Sequence, residues 1–386
     1  MKRTLEILTK LIAFDTTSSN SNLELIEYIK TFLTTLNIKN EVIYNDKKDK
    51  ANIFATIGKS NQGGIVLSGH TDIVPTANQI WHSNPYTLTT KEKKLFGRGT
   101  ADMKGFIACC LALAEKIHNK ELSKPIHLAF SYDEELGCLG VCRMLDLIKN
   151  RDIKPEFCIV GEPTSMNLVT AHKGNTAFKV LCRGQEAHSS LSPLYQNAIY
   201  LALDFINELR DMQKTIEKDG FRDNDFDIPF STIHTGTIKG GTARNIVPNL
   251  CEFNFEIRHI AQDDVNSYIN HIFELAKNLT RTGEAKYGCA AIEIEKLFSY
   301  PGLNYNFFDN DIFSFAKENT QSTGNSKVAY GTEAGFFYET LKIPTIILGP
   351  GNIEQAHKPD EYIELEQLEK CFFFLNDLAF KYLNCK

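Results

Sequence analysis

The amino-acid sequence predicts an α/β fold made of two domains, the second of which is α+β and inserted into the first. Up to Gly174, apolar runs typical of buried strands alternate with segments of helical periodicity. Beyond Gly174 the predicted order is strand, helix, strand, strand, helix, strand, which is the ferredoxin-like arrangement. The length of 386 residues also favours two domains, because one hydrophobic core rarely grows that large. We assign residues 1–174 and 300–386 to the first domain and residues 175–299 to the insert.

Each element follows from its periodicity and from the residues that bound it. Apolar residues at helical spacing predict helices over residues 5–14, 22–36, 107–117, 140–149, 197–212, 264–279, 312–318 and 365–382. Polar residues 19–22 supply a cap for the second helix. Apolar, β-branched and aromatic runs predict strands over residues 39–44, 51–57, 63–68, 86–90, 94–97, 126–132, 157–160, 178–182, 230–238, 250–257, 291–298 and 345–348.

Composition and charge argue against several classes of protein. The net charge of −6, from 42 basic and 48 acidic residues, gives no electrostatic basis for binding nucleic acid. No apolar run approaches the length of a membrane span, and the first residues have the spacing of an amphipathic helix rather than a signal peptide. The 10 cysteines include no C-x-x-C pair and several lie in apolar runs, which favours buried thiols. We expect a cytoplasmic protein without a membrane or nucleic-acid partner.

The segment GHTDIVP, residues 69–75, follows the apolar run of residues 63–68. If the strand continues through it, His70 and Asp72 point to the same side, because side chains alternate along a strand. His70 can then bind a metal ion through one ring nitrogen, while Asp72 holds the other N–H or acts through water. An isolated H-x-D triplet is a weak signal. Matching ligand types at the ends of other predicted strands strengthen this interpretation.

Carboxylates recur where other predicted strands end or helices begin. Asp102 lies in the glycine-rich segment GRGTADMKGF before a helix, where it either caps that helix or is aimed inward by the tight turn. Asp133, Glu134 and Glu135 follow the strand over residues 126–132. Three adjacent carboxylates are costly unless solvent or a cation neutralises them, so they form either an exposed acidic turn or part of a cation site.

Glu162 follows the strand over residues 157–160, and His357 follows the last predicted strand in the segment AHKPDEYI. In open α/β sheets, binding sites form beyond the carboxyl ends of the strands. Two histidines and three carboxylates can hold two metal ions if one carboxylate bridges them, which leaves room for a shared water. Nitrogen and oxygen ligands suit zinc, with cobalt or manganese as substitutes. The candidate ligands are His70, Asp102, Glu135, Glu162 and His357.

The sequence resembles metallopeptidases of the M20 family. The segments GHTDIVP, GRGTADMKG, YDEELG and GEPT match the family motifs in order and spacing, and the resemblance covers essentially the whole chain. It implies a zinc-exopeptidase-like catalytic domain with a mixed sheet flanked by helices. It also implies an inserted lid and dimerisation domain, a homodimer, and an acylated amino acid as substrate.

The resemblance assigns the ligands of two zinc ions in two pairs and a bridge: His70 with Glu162, Glu135 with His357, and Asp102 between the ions. It implies that Asp72 supports His70 and that Glu134 is the general base. Spacing alone leaves Glu134 and Glu135 exchangeable. The resemblance also implies a cis peptide bond between Asp102 and Met103.

In the insert, His188 of the segment EAHSS matches a family histidine that polarises the substrate carbonyl, often across a dimer. Asn245 and Arg258 match positions that contact the substrate carboxylate in relatives, and Arg258 offers bidentate geometry for it. A salt bridge within the insert is the alternative for Arg258. Three further histidines have no motif and are predicted to be surface residues: His234, His259 and His271.

Within the family, three segments favour the acetylornithine deacetylase subgroup. The reaction of that subgroup is a step of arginine biosynthesis. The three segments are AHKG at residues 171–174, GTEA at 331–334, and GPGNIEQAHKPDEY at 349–362. Glu333 can meet a cationic amino group, as ornithine carries, or can cap a helix. The alternatives are an N-succinyl-diaminopimelate desuccinylase, a dipeptidase or carboxypeptidase, and a non-catalytic binding or regulatory paralogue.

Overall fold

The computed structural model describes residues 1–60, 62–304, 310–320, 322 and 326–385. The chain forms two compact units. The first comprises Met1–His172, Leu303–Lys327 and Thr332–Lys386, and the second comprises Lys173–Gly302 and Val328–Gly331. Compared with the predicted division, the second unit also takes in residues 173–174, 300–302 and Val328–Gly331. Gly331 packs directly on the ring of Tyr300 within this unit.

The described residues form helices and strands whose bounds are as follows. The helices are α1 (Lys2–Ile12), α2 (Leu23–Thr35), α3 (Gly105–Ile117), α4 (Val141–Asn150), α5 (Ala198–Asp219), α6 (Val265–Tyr287), α7 (Asp311–Thr320), α8 (Ala334–Leu341) and α9 (Leu365–Asp377). The strands are β1 (Lys39–Tyr44), β2 (Ala51–Ile57), β3 (Ile65–His70), β4 (Thr89–Lys91), β5 (Lys94–Phe96), β6 (Ile126–Ser131), β7 (Phe157–Val160), β8 (Val169–His172), β9 (Gly174–Arg183), β10 (Ala187–His188), β11 (Thr232–Gly240), β12 (Ile246–Val247), β13 (Leu250–His259), β14 (Ala291–Tyr300), β15 (Leu303–Asn304), β16 (Ser326–Val328), β17 (Thr345–Ile347) and β18 (Tyr362–Glu364).

The first unit is built on a mixed sheet with the strand order β1-β2-β6-β3-β7-β17-β8-β15, and β16 pairs with β8. Helices flank this sheet, which confirms the predicted fold class. Four neighbouring strands, β6, β3, β7 and β17, are parallel to one another. β3, β6 and β7 are buried at every residue, as expected for continuous apolar runs covered on both faces. Their carboxyl ends therefore meet at one edge of the sheet.

Helix α3 lies in the interior of the first unit and packs against α1 and α9. All its residues except Glu115 and Lys116 are buried, which explains its nearly uninterrupted apolar sequence. The last helix is shorter than predicted, because α9 ends at Asp377 and the chain continues in a wider helical turn, Leu378–Tyr382.

The second unit has a four-stranded antiparallel sheet in the order β11-β13-β9-β14, with α5 and α6 packed on it. This confirms the ferredoxin-like prediction. Its core includes a group of aromatic rings, among them Phe178, Phe205, Phe253 and Phe255. Both helices are longer than predicted: buried Ile216 prolongs the apolar stripe of α5, and α6 ends at Tyr287, followed by Gly288 with a φ of 72°. Among the described residues, no helix is long and apolar enough to cross a membrane.

Candidate metal centre

The sheet edge where the parallel strands end brings the predicted metal ligands together. His70 is the last residue of β3, Glu135 follows β6, and Glu162 follows β7. The Asp102 carboxylate lies between two histidines, with Oδ1 2.9 Å from His70 Nε2 and Oδ2 3.3 Å from His357 Nε2. His357 Nε2 is also 3.1 Å from Glu135 Oε1, and Glu162 Oε1 is 3.9 Å from His70 Nε2.

Two overlapping groups of side chains have ligand atoms within 4.8 Å of one another: His70 with Asp102 and Glu135, and His70 with Glu134 and Glu162. The buried Glu162 Oε1 has no hydrogen-bond partner, so it is an orphaned acceptor directed into this cluster. A buried carboxylate oxygen without a donor is costly unless a cation satisfies it. Imidazole nitrogens and carboxylate oxygens are suitable ligands for zinc. The residues present therefore fit a metal centre.

Burial and nearby charges shift the pKa values of the side chains in the cluster. Burial, together with nearby carboxylates, raises the pKa values of Glu134, Glu135 and Glu162. Asp102 is the exception: burial opposes ionisation, but hydrogen bonds from His357 and His70 lower its pKa. Hydrogen bonds to Asp102 and Glu135 raise the pKa of His357 to about 10. The arrangement thus attracts positive charge to the space between the two histidines.

Asp102 lies in the turn before α3 and does not cap that helix, which begins at Gly105 with Lys104 at the N-cap position. The peptide bond between Asp102 and Met103 is cis, as the family resemblance implies. Behind this turn, a Cβ atom on Gly161 would lie 2.0 Å from the Phe106 ring, so glycine is required where the strand meets the helix.

The carboxylate of Asp72 lies closer to the backbone of the loop that carries Glu134 and Glu135 than to the ring of His70. His70 Nδ1 is 2.9 Å from the Asp72 backbone carbonyl and 3.6 Å from its carboxylate. The two carboxylate oxygens accept hydrogen bonds from the backbone N–H groups of Glu134, at 3.1 Å, and Glu135, at 3.3 Å. The Ser18 hydroxyl also donates to this carboxylate, at 2.8 Å. Asp72 thereby joins the His70 segment to the loop that carries two other site residues.

A buried ion pair that the sequence analysis did not identify supports the Asp102 turn. Glu361 Oε1 accepts hydrogen bonds from the N–H groups of Ala101, at 2.9 Å, and Asp102, at 3.1 Å, and Oε2 accepts from Gly99 at 3.0 Å. Arg98 donates to Glu361 at 2.8 Å, and both side chains are 1% exposed. Arg98 lies in the motif segment GRGT and Glu361 in the segment HKPDEY. Their place in these motifs was the one feature of the sequence that could have indicated their role.

In the second unit, His188 and Asn245 are neighbours. β10, which ends at His188, pairs with β12, and the Ser189 N–H donates to the Asn245 carbonyl at 3.0 Å. Both residues are exposed, and His188 Nδ1 is 2.8 Å from the Ser190 hydroxyl. Arg258 lies on β13 and forms an ion pair with Glu256 at 2.8 Å.

Glu333 belongs to the first unit and is 1% exposed. It occupies the N-cap position of α8 without a side-chain capping bond. Its carboxylate instead accepts hydrogen bonds from the hydroxyls of Ser68, at 3.1 Å, and Ser131. Burial raises its pKa to about 7.

One prediction about the histidines is wrong. His234 and His271 are exposed as predicted, but His259 is 7% exposed. It packs on the backbone of Gly174, where a Cβ atom would lie 2.2 Å from His259 Nε2. Its position in the alternating pattern of β13 places it on the buried face.

These features define a class of protein: a two-unit α/β protein whose first unit carries, at the edge of a mixed sheet, a largely buried cluster of side chains that could hold a metal ion. Residues 66–381 match the model of Peptidase family M20/M25/M40. The chain therefore belongs to this family and is a hydrolase.

Relatives and solved structures agree with this placement. An acetylornithine deacetylase of Buchnera aphidicola subsp. Acyrthosiphon pisum (strain Tuc7) is 35% identical over 366 residues, covering 93% of each chain. The structure of a tripeptidase from Staphylococcus aureus subsp. aureus Mu50 has a TM-score of 0.77 at 18% identity, covering 99% of this chain and 98% of that one. An M20 family metallo-carboxypeptidase from Sulfolobus solfataricus has a TM-score of 0.76 at 16% identity, covering 98% and 99%.

Proposed function

We propose that this protein removes the acetyl group of N-acetyl-L-ornithine and releases L-ornithine and acetate, a step of arginine biosynthesis in the cytoplasm. The observation that carries the proposal is the Asp102 carboxylate held between His70 and His357, with further carboxylates around it. The similarity of the whole chain to an acetylornithine deacetylase supports the choice of substrate.

Two zinc ions, with cobalt as a substitute, are the proposed cofactors. The proposed ligands are His70 with Glu162, Glu135 with His357, and Asp102 shared. When bound, such a pair of ions would supply activation of water and stabilisation of the negative charge that develops on the substrate carbonyl oxygen.

Glu134 is the proposed general base, which takes a proton from the attacking water and returns it to the leaving amine nitrogen. Its buried surroundings raise the pKa of its carboxyl, which makes the group a better proton acceptor than an exposed glutamate. Glu135 forms a hydrogen bond with His357, whereas Glu134 accepts one from the Cys138 thiol at 3.4 Å. This difference supports Glu134 as the base and Glu135 as the ligand.

The second unit is proposed to act as lid and dimerisation domain of a homodimer. His188 would polarise the substrate carbonyl, and Asn245 and Arg258 would bind the substrate carboxylate. Arg258 is already paired with Glu256, so its guanidinium would be shared with the substrate. Glu333 is a further carboxyl group near Glu134, and its ionised form would favour a cationic side chain such as that of ornithine.

The experiment compares release of free amine from N-acetylornithine and N-succinyl-diaminopimelate, with zinc-loaded and chelated enzyme. Zinc-dependent turnover of the acetyl substrate alone is the expected result. Preference for the succinyl substrate would support the same mechanism but would show that N-acetylornithine is not the substrate. If metal-loaded enzyme hydrolyses neither compound, dipeptides are tested next, and inactivity towards them too would favour a binding or regulatory role.

A further inference from the structure

Three consecutive carboxylates form the loop after β6, and they differ in their surroundings. Glu134 and Glu135 belong to the candidate metal centre. Asp133 instead forms an ion pair with Lys50 Nζ at 2.5 Å, in which each side chain is 12% exposed. Asp133 also has a left-handed backbone with a φ of 54°, which is uncommon for a residue other than glycine. This left-handed residue lies immediately before the two site residues.

Lys50 connects this loop to the N-terminal part of the chain. Besides the Asp133 carboxylate, its ammonium donates to the backbone carbonyl of Ser18. The Ser18 hydroxyl donates to the Asp72 carboxylate at 2.8 Å. The Asp72 carboxylate in turn accepts hydrogen bonds from the backbone N–H groups of Glu134 and Glu135. All three residues of the loop are thus held by one network, here called the acidic-loop clamp (Ser18, Lys50, Asp72 and Asp133).

The charges explain why a cation is needed at this point. Asp72 and Asp133 are both buried and repel each other, and this repulsion adds to the desolvation of Asp133. The Lys50 ammonium offsets the negative charge of Asp133. Without Lys50, the Asp133 carboxylate would be left buried and unpaired, a cost that a change of loop conformation relieves.

We propose that Lys50, which lies outside every motif of the chain, is a positioning residue. It neutralises Asp133 and fixes the loop so that Glu134 and Glu135 both face the metal centre. The inference rests on the proposed function, since it concerns the residues assigned there as base and ligand.

The test compares Lys50→Met with Lys50→Arg, and uses Lys59→Met as the matched control. Lys59 also pairs with a carboxylate, Glu121, but their side chains are 91% and 79% exposed. Two readouts are taken: kcat and KM with N-acetylornithine, and the visible absorption spectrum of the cobalt-loaded protein, which reports ligand geometry. We expect Lys50→Met to lower kcat about 10- to 100-fold, because small misplacements of reacting groups have effects of this size. KM is expected to stay within about threefold of the wild-type value.

The cobalt spectrum of Lys50→Met is expected to change, while Lys50→Arg retains the wild-type spectrum and most of kcat. Lys59→Met should match the wild type in both readouts. Wild-type kcat and spectrum in Lys50→Met would overturn the proposal, as would equal losses in Lys50→Met and Lys50→Arg.

If Lys50→Met does not fold, Asp133→Asn and Ser18→Ala replace it, because each removes one contact of the clamp with little change of volume. Unchanged kcat and cobalt spectra in both would overturn the proposal. Wild-type protein that binds cobalt but hydrolyses no acylated amino acid would defeat the proposed function alone, and the spectra of the variants would still test the clamp.

Discussion

Glu134 and Glu135 are adjacent in the chain, but their different hydrogen bonds lead to a prediction that separates base from ligand. We expect Glu134→Gln to lower kcat by about 10²- to 10⁴-fold, the usual contribution of general acid–base catalysis. The amide keeps the shape of the side chain but cannot accept the proton. Metal content, measured by atomic absorption, should be unchanged.

Glu339→Gln is the control for Glu134→Gln, since Glu339 is an exposed residue of α8. Loss of metal from Glu134→Gln, together with loss of activity, would indicate that Glu134 is a ligand rather than the base.

His127 is a buried histidine of β6 whose protonation is expected to govern stability in acid. It stacks on Phe54 with ring centroids 5.6 Å apart and has Nδ1 3.0 Å from the Thr56 hydroxyl. Burial lowers its pKa to about 4, whereas the ordinary value is 6.5. Below pH 6.5 the unfolded chain therefore binds a proton that the folded protein does not. Stability should fall as the pH drops from 6.5 towards 4, by about 2 kcal/mol at pH 5.

The measurement for His127 is the thermal midpoint at pH 7.5 and pH 5 for the wild type and for His127→Gln. The difference between the two pH values should be smaller in the variant. His118→Gln, at an exposed histidine, should behave as the wild type. The assignment to His127 fails if its substitution leaves the pH dependence unchanged.

At the scale of the element, the turn that carries Asp102 depends on the Glu361 carboxylate. Substitution Glu361→Gln replaces an acceptor by an NH2 group facing backbone N–H donors, and it leaves Arg98 buried without its ion-pair partner. Breaking a buried pair in this way costs about 3–5 kcal/mol. We expect a large decrease in the urea midpoint. Glu366→Gln, which removes the exposed pair with Lys370, should change it little.

Elements were predictable from sequence where burial leaves a simple pattern. The strands β3, β6 and β7 are buried at every residue and begin with mainly apolar runs because both faces are covered, and the polar residues at or beyond their ends pointed to the metal centre. The C-terminal end of α5 was less predictable, since only Ile216 marks the continued buried stripe in an otherwise polar last turn. His259 was misjudged because the predicted strand ended at residue 257, whereas β13 continues its alternation to His259, which packs on the distant Gly174.

At the scale of the whole molecule, the sequence identified residue types but not the contacts that orient them. The Lys50–Asp133 and Arg98–Glu361 pairs join residues far apart in the chain, and no local periodicity signals them. The Asp72 carboxylate binds backbone N–H groups, which every residue but proline offers. Folding determines such pairings, whereas motif spacing indicates only which side chains belong to the site.

The two units have separate cores, and only the first contains the cluster of metal-ligand side chains described here. Metal removal should therefore affect the units unequally. Without cations, the buried carboxylates of the first unit repel one another, whereas bound metal stabilises that unit by about 4 kcal/mol at a thousandfold excess over Kd. We expect chelation to lower the thermal transition of the first unit and leave that of the second unchanged.

Differential scanning calorimetry with and without chelator measures these transitions, and hydrogen exchange read by mass spectrometry assigns each to its unit. The Glu162→Gln variant lacks one proposed ligand and one buried carboxyl group. Chelation should therefore lower the thermal transition of its first unit by less than it does in the wild type. Equal destabilisation of both units would show that metal stabilises the molecule as one cooperative body. Absence of any shift would contradict a metal centre in the first unit, because a ligand that binds only the folded state must stabilise it.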